Sequence, residues 1–323
     1  MKRAVVTGAG GFLGSHLTEH LVRSGFRVRA FVHYDSGGTR GWLDDSEVAS
    51  DVEVCAGDVR DHDSVRRALE SSEVVFHLAA LVGIPYSYVT PQAYVRTNVD
   101  GALNVLEAAR EHGVERLVLT STSEVYGTAL RAPMDEAHQV RCQSPYAATK
   151  AAADQLALSY HRSFGVPVVI ARPFNAYGPR QSDRALIPSV IAQLQAGERV
   201  ALGNLHPTRD FTFATDVVRG FVAIAQADAL VGEVVHIGSG TERSVGEVVE
   251  RIALLMGRTA VVDERDERRR PATSEVERLC CDASKLRAAT GWTPEVDFEI
   301  GLRRTITWMD SRRGSFRPGE YRT

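Results

Sequence analysis

Short runs that are apolar from end to end alternate with longer stretches of helical spacing through the first half of the chain. Ala4-Val5-Val6-Thr7 leads into a segment with Leu17, Leu21 and Val22 on one face, stopped by Gly25. Strands follow at residues 28–32 and 52–55, then a helix from Asp63 through Val65 and Leu69, and a fourth strand at 74–78. A long helix over 98–112, with Val99, Leu103 and Leu106 on one side, precedes a fifth strand at 117–120. A helix over 145–164 then gives way to a sixth strand at 166–171. Strands without polar alternation are covered on both faces, and helices between them supply the cover. The pattern predicts an α/β fold with a doubly wound parallel sheet over residues 1–175.

Beyond Arg172-Pro173 the alternation lapses. Gly, Pro and polar residues cluster from Asn175 to Arg184, short elements follow, and a charge-dense stretch runs over 263–270. Residues 176–323 are therefore assigned to a smaller mixed α/β lobe that binds substrate. A helix at 217–226 and a strand at 234–237 are candidates to return to the first lobe. The polar tail over 311–323 is expected to be loose.

Composition narrows the classes. With 44% hydrophobic and 24% charged residues and a net charge of −3, the chain suits neither nucleic acid nor an anionic membrane surface as partner. Its apolar runs are strand-length, far from the roughly 20 residues that span a bilayer. Met1-Lys2-Arg3 runs straight into the first strand, which argues against a cleavable leader and for a cytoplasmic protein. Cys55, Cys142, Cys280 and Cys281 show no metal spacing and are expected as reduced thiols; the ten histidines form no metal-ligating pair, so no metal is expected.

The turn after the first strand reads Thr7-Gly8-Ala9-Gly10-Gly11-Phe12-Leu13-Gly14. Gly8 permits the turn, Gly11 lets backbone approach a pyrophosphate, and Gly14 lets the helix lie close to the sheet. The helix N-terminus offers unpaired N–H groups and the positive end of its dipole. Flavin and other nucleotide binders share this spacing, but its place between strand and helix marks a Rossmann-type dinucleotide site. The second strand ends Val32-His33-Tyr34-Asp35, which puts His33 at the adenosine ribose and an acid about three positions late. The expected cofactor is NAD; NADP stays open, with Arg40 within reach of a 2′-phosphate. Asp58 is a candidate to accept a hydrogen bond from adenine, or else a helix N-cap.

Tyr146 and Lys150 stand four residues apart on one helix face. The ammonium is expected to lower the phenol pKa from about 10 toward working pH, so that the phenolate takes a proton from an alcohol as its hydride leaves. Thr120-Ser121-Thr122 ends the preceding strand, where ligands bind in open α/β sheets.

These residues carry a resemblance. The succession TGAGGFLGSHL, GDVRD, HLAA, TNVDGALNVLEAA, TSTSEVYG, SPYAATKAAAD, RPFNAYGPRQ, RDFTFATDVVRG and HIGSG is similar to the extended short-chain dehydrogenase/reductases that act as nucleotide-sugar epimerases and dehydratases. The resemblance implies a catalytic core of Thr122, Tyr146 and Lys150, with Asn98 in support. It implies cofactor contacts from Gly8, Gly11, Phe12, Leu13, Gly14, His33, Asp58, Val59, Leu78, Ala79, Ala80, Asn98, Tyr146, Lys150 and Pro173. Substrate contacts are implied for Thr122, Asn175, Arg180, Arg209 and Arg270; Arg268 and Arg269 replace Arg270 if the loop is displaced. It further implies a homodimer through the 98–112 and 145–164 helices.

Ser123-Glu124 after Thr122 resembles the pair found in 4,6-dehydratases, where a carboxylate removes the C5 proton of a 4-keto sugar. PTRDFTFATDVVRGF and RPATSEVERLCCDASKL are similar to bacterial 4,6-dehydratases of N-acetylglucosamine nucleotides. The expectation is a sugar-nucleotide 4,6-dehydratase with Ser123 and Glu124 among its catalytic residues. A 4-epimerase of a UDP-hexose or UDP-uronic acid is the alternative, and a UDP-uronic acid decarboxylase a third; in a structural reading Glu124 merely pairs with a cation. A dinucleotide sensor without catalysis would have no need of Tyr146 and Lys150.

Overall fold

The structure is a computed structural model describing residues 2–316. Its strands are β1 (Arg3–Thr7), β2 (Arg27–His33), β3 (Val52–Gly57), β4 (Val74–His77), β5 (Arg116–Thr120), β6 (Val168–Pro173), β7 (Asn175–Tyr177), β8 (Arg199–Leu202), β9 (Thr208–Phe213), β10 (Val234–Ile237), β11 (Glu242–Ser244) and β12 (Val261–Glu264). Seven of them form one parallel sheet in the order β3-β2-β1-β4-β5-β6-β10.

Apolar residues on both faces of each strand build two cores. From β1, Ala4 and Val6 face the side covered by Phe12–Arg23 and Ala214–Gln226, whereas Val5 faces His62–Leu69, Gly101–His112 and Pro145–Phe164. The sixth strand begins two residues later than expected. Gly165, left-handed at φ +71°, ends the preceding helix, and β6 continues to Pro173, which pairs with Ile237 of β10. The helix expected from residue 98 is preceded by a π-helical turn, Val95–Asp100, which holds Asn98.

A third core belongs to the smaller lobe, where β11-β9-β7 and β12-β8 form two small sheets against Leu186–Ala196, Val245–Leu255 and Phe298–Asp310. The chain is therefore divided discontinuously, since Ala214–Gln226 and β10 lie on the first sheet. Of the tail expected to be loose, residues 317–323 lie outside the described residues.

Strand order reverses between β1 and β4, and the carboxyl ends of such neighbours open the crevice where α/β sheets bind ligands. Thr7 closes the floor of that crevice: its hydroxyl accepts from the backbone N–H of Leu78 (3.2 Å) and Ala79 (3.1 Å) and bonds His77 Nδ1 at 2.8 Å.

Candidate active site

A cleft of about 1250 Å³ runs from the glycine loop, past the ends of β4 and β5, into the smaller lobe. The loop leaves no room for side chains. Gly8 has φ +71°, and a Cβ there would meet Ala79 backbone at 2.9 Å; a Cβ on Gly14 would stand 2.1 Å from the Gly8 carbonyl oxygen. Gly11 caps Phe12–Arg23, no side chain bonds the first-turn N–H groups, and no acid lies in that turn. Such a bare, positive helix end fits a pyrophosphate. Phe12, Leu13, Val59, Leu78, Ala79, Ala80 and Pro173 line the same cleft.

Past the glycine loop, His33, Asp35, Arg40, Asp58 and Arg60 line the cleft wall. Arg40 Nε is engaged by Asp44 at 2.8 Å. Asp58 is no helix cap: that place belongs to Asp61, which accepts from the N–H groups of Asp63 and Ser64, while Arg60 Nε donates to both Asp58 oxygens at 3.0 Å.

Tyr146 and Lys150 enter from Pro145–Phe164, whose start is set by Pro145 and by Ser144 Oγ accepting from Ala147 N–H at 3.1 Å. Thr122 caps the single turn Ser123–Tyr126, so the same turn presents Thr122 and Glu124 to the cleft. Burial, rather than the ammonium, governs the phenol: it pushes Tyr146 above the ordinary range, opposed by a hydrogen bond with Thr122 and reinforced by the Glu124 charge. The phenol therefore lies above its ordinary range in this cleft instead of below it as expected. Burial also brings Lys150 down to about 8, with Asp154 acting in the opposite sense.

Across the cleft, Arg209 Nε stands 3.8 Å from Glu124 Oε1, and Arg209 Nη2 and Arg270 Nη1 each lie 3.7 Å from Glu275 Oε1. These separations exceed hydrogen bonds, so the arginines are gathered but not fully occupied. Burial lowers Arg209, as does the Arg270 charge, against Glu124 and Glu275. Asn175 and Arg268 also line the cleft.

Four sequence assignments change. Arg180 is turned away from the cleft, and its Nη2 donates to Glu19 at 2.7 Å. Ser123 is buried and does not line the cleft, whereas its neighbour Glu124, also buried from bulk solvent, does. Asn98 is also behind the lining: its Oδ1 accepts from Leu81 N–H at 2.8 Å and its Nδ2 donates to Thr149 Oγ1 at 3.1 Å, bracing the 78–82 segment against the catalytic helix. Arg269 is drawn off to Glu264 at 3.0 Å. Glu275 was missed by motif reading, although it stands only five residues after Arg270; Arg184 and Tyr86, also in the lining, carry no local signal. Among the described residues, no cluster of His, Cys, Asp or Glu could hold a metal ion, and no helix is long and apolar enough to cross a membrane.

The sequence pattern of the GDP-mannose 4,6 dehydratase family matches residues 5–305. A UDP-N-acetyl-alpha-D-glucosaminuronate decarboxylase of Bacillus cytotoxicus is 32% identical over 319 residues, 95% of this chain and 98% of its own length. A dTDP-glucose 4,6-dehydratase from Streptomyces venezuelae, solved with NAD bound, has a TM-score of 0.88 at 30% identity and covers 97% of this chain and 98% of its own. A UDP-glucuronic acid 4-epimerase from Bacillus cereus, solved with UDP-glucuronic acid and NAD, has a TM-score of 0.87 at 28% identity, covering 96% and 99%. A match that takes in the whole cleft, from the glycine loop to the arginines of the smaller lobe, makes the chain a member of the GDP-mannose 4,6 dehydratase family.

Proposed function

We propose that the chain is an NAD-dependent sugar-nucleotide 4,6-dehydratase. The observation that carries this reading is Glu124, a carboxylate in the cleft on the turn that also presents Thr122, close enough to Tyr146 for its charge to act on the phenol. The glycine loop, Asp58, Ala79, Ala80 and Lys150 would hold NAD, as the bare helix end and the filled Cβ positions of Gly8 and Gly14 support. When bound, NAD supplies a two-electron acceptor and then donor, so none is consumed overall.

The Thr122 hydroxyl and the Tyr146 oxygen would hold the sugar C4 hydroxyl between them. Tyr146, having first given up its own proton against the burial that disfavours phenolate, would receive the C4 proton. A 4-keto group acidifies C5–H; Glu124 would remove that proton and pass it to the departing C6 hydroxyl, which leaves as water. The C5–C6 double bond so formed would then take up hydride at C6 and the proton held by Tyr146 at C5. Arg209 and Arg270 would bind the nucleotide diphosphate, for which a planar guanidinium fork is suited.

The withdrawal of Ser123 favours a second reading, a 4-epimerase, because Thr122, which would engage the C4 hydroxyl, is then the hydroxyl the turn presents beside Glu124, and no second one stands by to assist water loss. Incubation with a panel of UDP-, dTDP-, GDP- and CDP-sugars, followed by mass detection, separates the two. A dehydratase yields a product lighter by one water, lost in Glu124→Gln. A product of unchanged mass inverted at C4 would replace it with epimerisation, and loss of carbon dioxide with decarboxylation.

A further inference from the structure

Asp154 lies one turn beyond Lys150 on Pro145–Phe164 and is wholly buried. Its Oδ2 accepts from Ser121 Oγ at 2.7 Å and from Arg172 Nε and Nη2 at 3.1 and 2.8 Å; its Oδ1 is buried with no hydrogen-bond partner. Arg172 Nη1 donates to the Tyr126 hydroxyl at 2.6 Å, which in turn meets His236 Nε2 at 2.6 Å. Asp154 and Arg172 lie behind the cleft rather than in its lining. At this one carboxylate meet the catalytic helix, the end of β5 just before Thr122, and β6 just before Pro173.

We propose that Asp154 is a positioning residue of the active site, a buried anion that sustains the charged form of Lys150 from behind and ties its helix to the strand end carrying Thr122. An ion pair in this place is a weak stabiliser, since burying both charges costs about what their attraction returns, and the orphan Oδ1 shows that Arg172 does not exhaust the carboxylate. A buried ammonium needs a nearby anion. Lys150 shares its helix with Tyr146 and Asp154 and the cleft with Glu124, its charge acts on His77 of β4, and Arg172 of β6 is bound to Asp154. His77 is kept neutral by burial and by Lys150 itself, Arg172 is a cation, and Glu124 faces Arg209; Asp154 is the anion whose field acts on Lys150.

The proposal rests on Lys150 serving the reaction, but its test needs neither substrate nor cofactor. The chain has three lysines, Lys2, Lys150 and Lys285, so lysine labelled with carbon-13 at the ε position gives signals few enough to assign and titrate by NMR. In the native chain Lys150 should titrate near 8. In Asp154→Asn its midpoint should fall by about one pH unit or more. Ser121→Ala, which removes one bond to the same carboxylate but keeps its charge, should leave the midpoint in place while lowering thermal stability. Asp154→Asn strands Arg172; if that variant does not fold, Asp154→Asn with Arg172→Gln removes both charges and should show a fall in the same direction but smaller, since loss of the Arg172 cation offsets part of it. A Lys150 midpoint unchanged in the folded Asp154 variant, or displaced equally by Ser121→Ala, overturns the proposal. Neither result bears on which sugar reaction occurs, which the mass assay decides separately.

Discussion

Gly14 is demanded by a distance: no side chain fits where its Cβ would stand 2.1 Å from a backbone oxygen that is itself part of the loop. Gly14→Ala must therefore push the helix from the sheet and shift the N–H groups facing the pyrophosphate. The expected cost is about 1–3 kcal/mol of stability, with NAD binding weakened about tenfold or more, read by thermal melting and by calorimetric titration with NAD. Both the loop and the Tyr146–Lys150 pair are legible in sequence, because a turn and a helical spacing are local. The protonation of the phenol is not, since it is decided by burial under Tyr94 and Ile84, residues far from Tyr146 in sequence. Glu124 and Ser123 show the limit of local reading: they are neighbours in a motif and on one short turn, yet only Glu124 lines the cleft.

Among elements, Phe12–Arg23 does more than begin the dinucleotide site. His16 Nε2 bonds the Pro179 carbonyl at 3.0 Å, and Glu19 holds Arg180, a non-glycine residue at φ +71°. This helix thereby anchors the segment that brings Gln181, Ser182 and Arg184 to the cleft. Arg180→Ala should cost about 1–3 kcal/mol in urea unfolding, because it leaves Glu19 with less compensation while alanine, which keeps the Cβ, leaves the left-handed backbone as strained as before. Glu19→Gln should cost a similar amount, and the double variant less than the sum, since both changes remove one interaction. From sequence Arg180 is expected among the substrate contacts; its partner in the structure lies 161 residues away, beyond any local pattern.

For the molecule as a whole, two histidines are sealed in the interior near the first sheet. Burial brings His77 to about 3, with Lys150 assisting, and His236 to about 3, with Arg172 assisting. The unfolded chain takes up protons near pH 6.5 that the folded one refuses, so this part of the stability is complete above about 6.5 and is lost as pH falls toward 3. Each histidine contributes a slope of about 1.4 kcal/mol per pH unit inside that window. Asp154, Asp210 and Glu136, pushed upward by burial, act in the opposite sense, so a difference isolates the effect. Between pH 6 and 5, His77→Asn should lose less stability than the native chain by about the amount for one histidine, measured as the change in urea midpoint. The sheet itself follows from sequence because its central strands are apolar on both faces, whereas the edge strand β3 is largely exposed. The smaller lobe does not, since its β7, β9 and β11 mix polar and aromatic residues and pair across long separations.

The return of β10 to the edge of the first sheet makes the two lobes inseparable by cutting the chain. A fragment ending near residue 175 would leave β6 with an open, apolar edge and the face beneath Ala214–Gln226 bare, a surface built to recruit other strands. Substrate preference in this architecture cannot be exchanged as a cassette grafted after a finished cofactor module. It has to change in place, one cleft residue at a time, on a scaffold that completes itself only when the far half of the chain comes home.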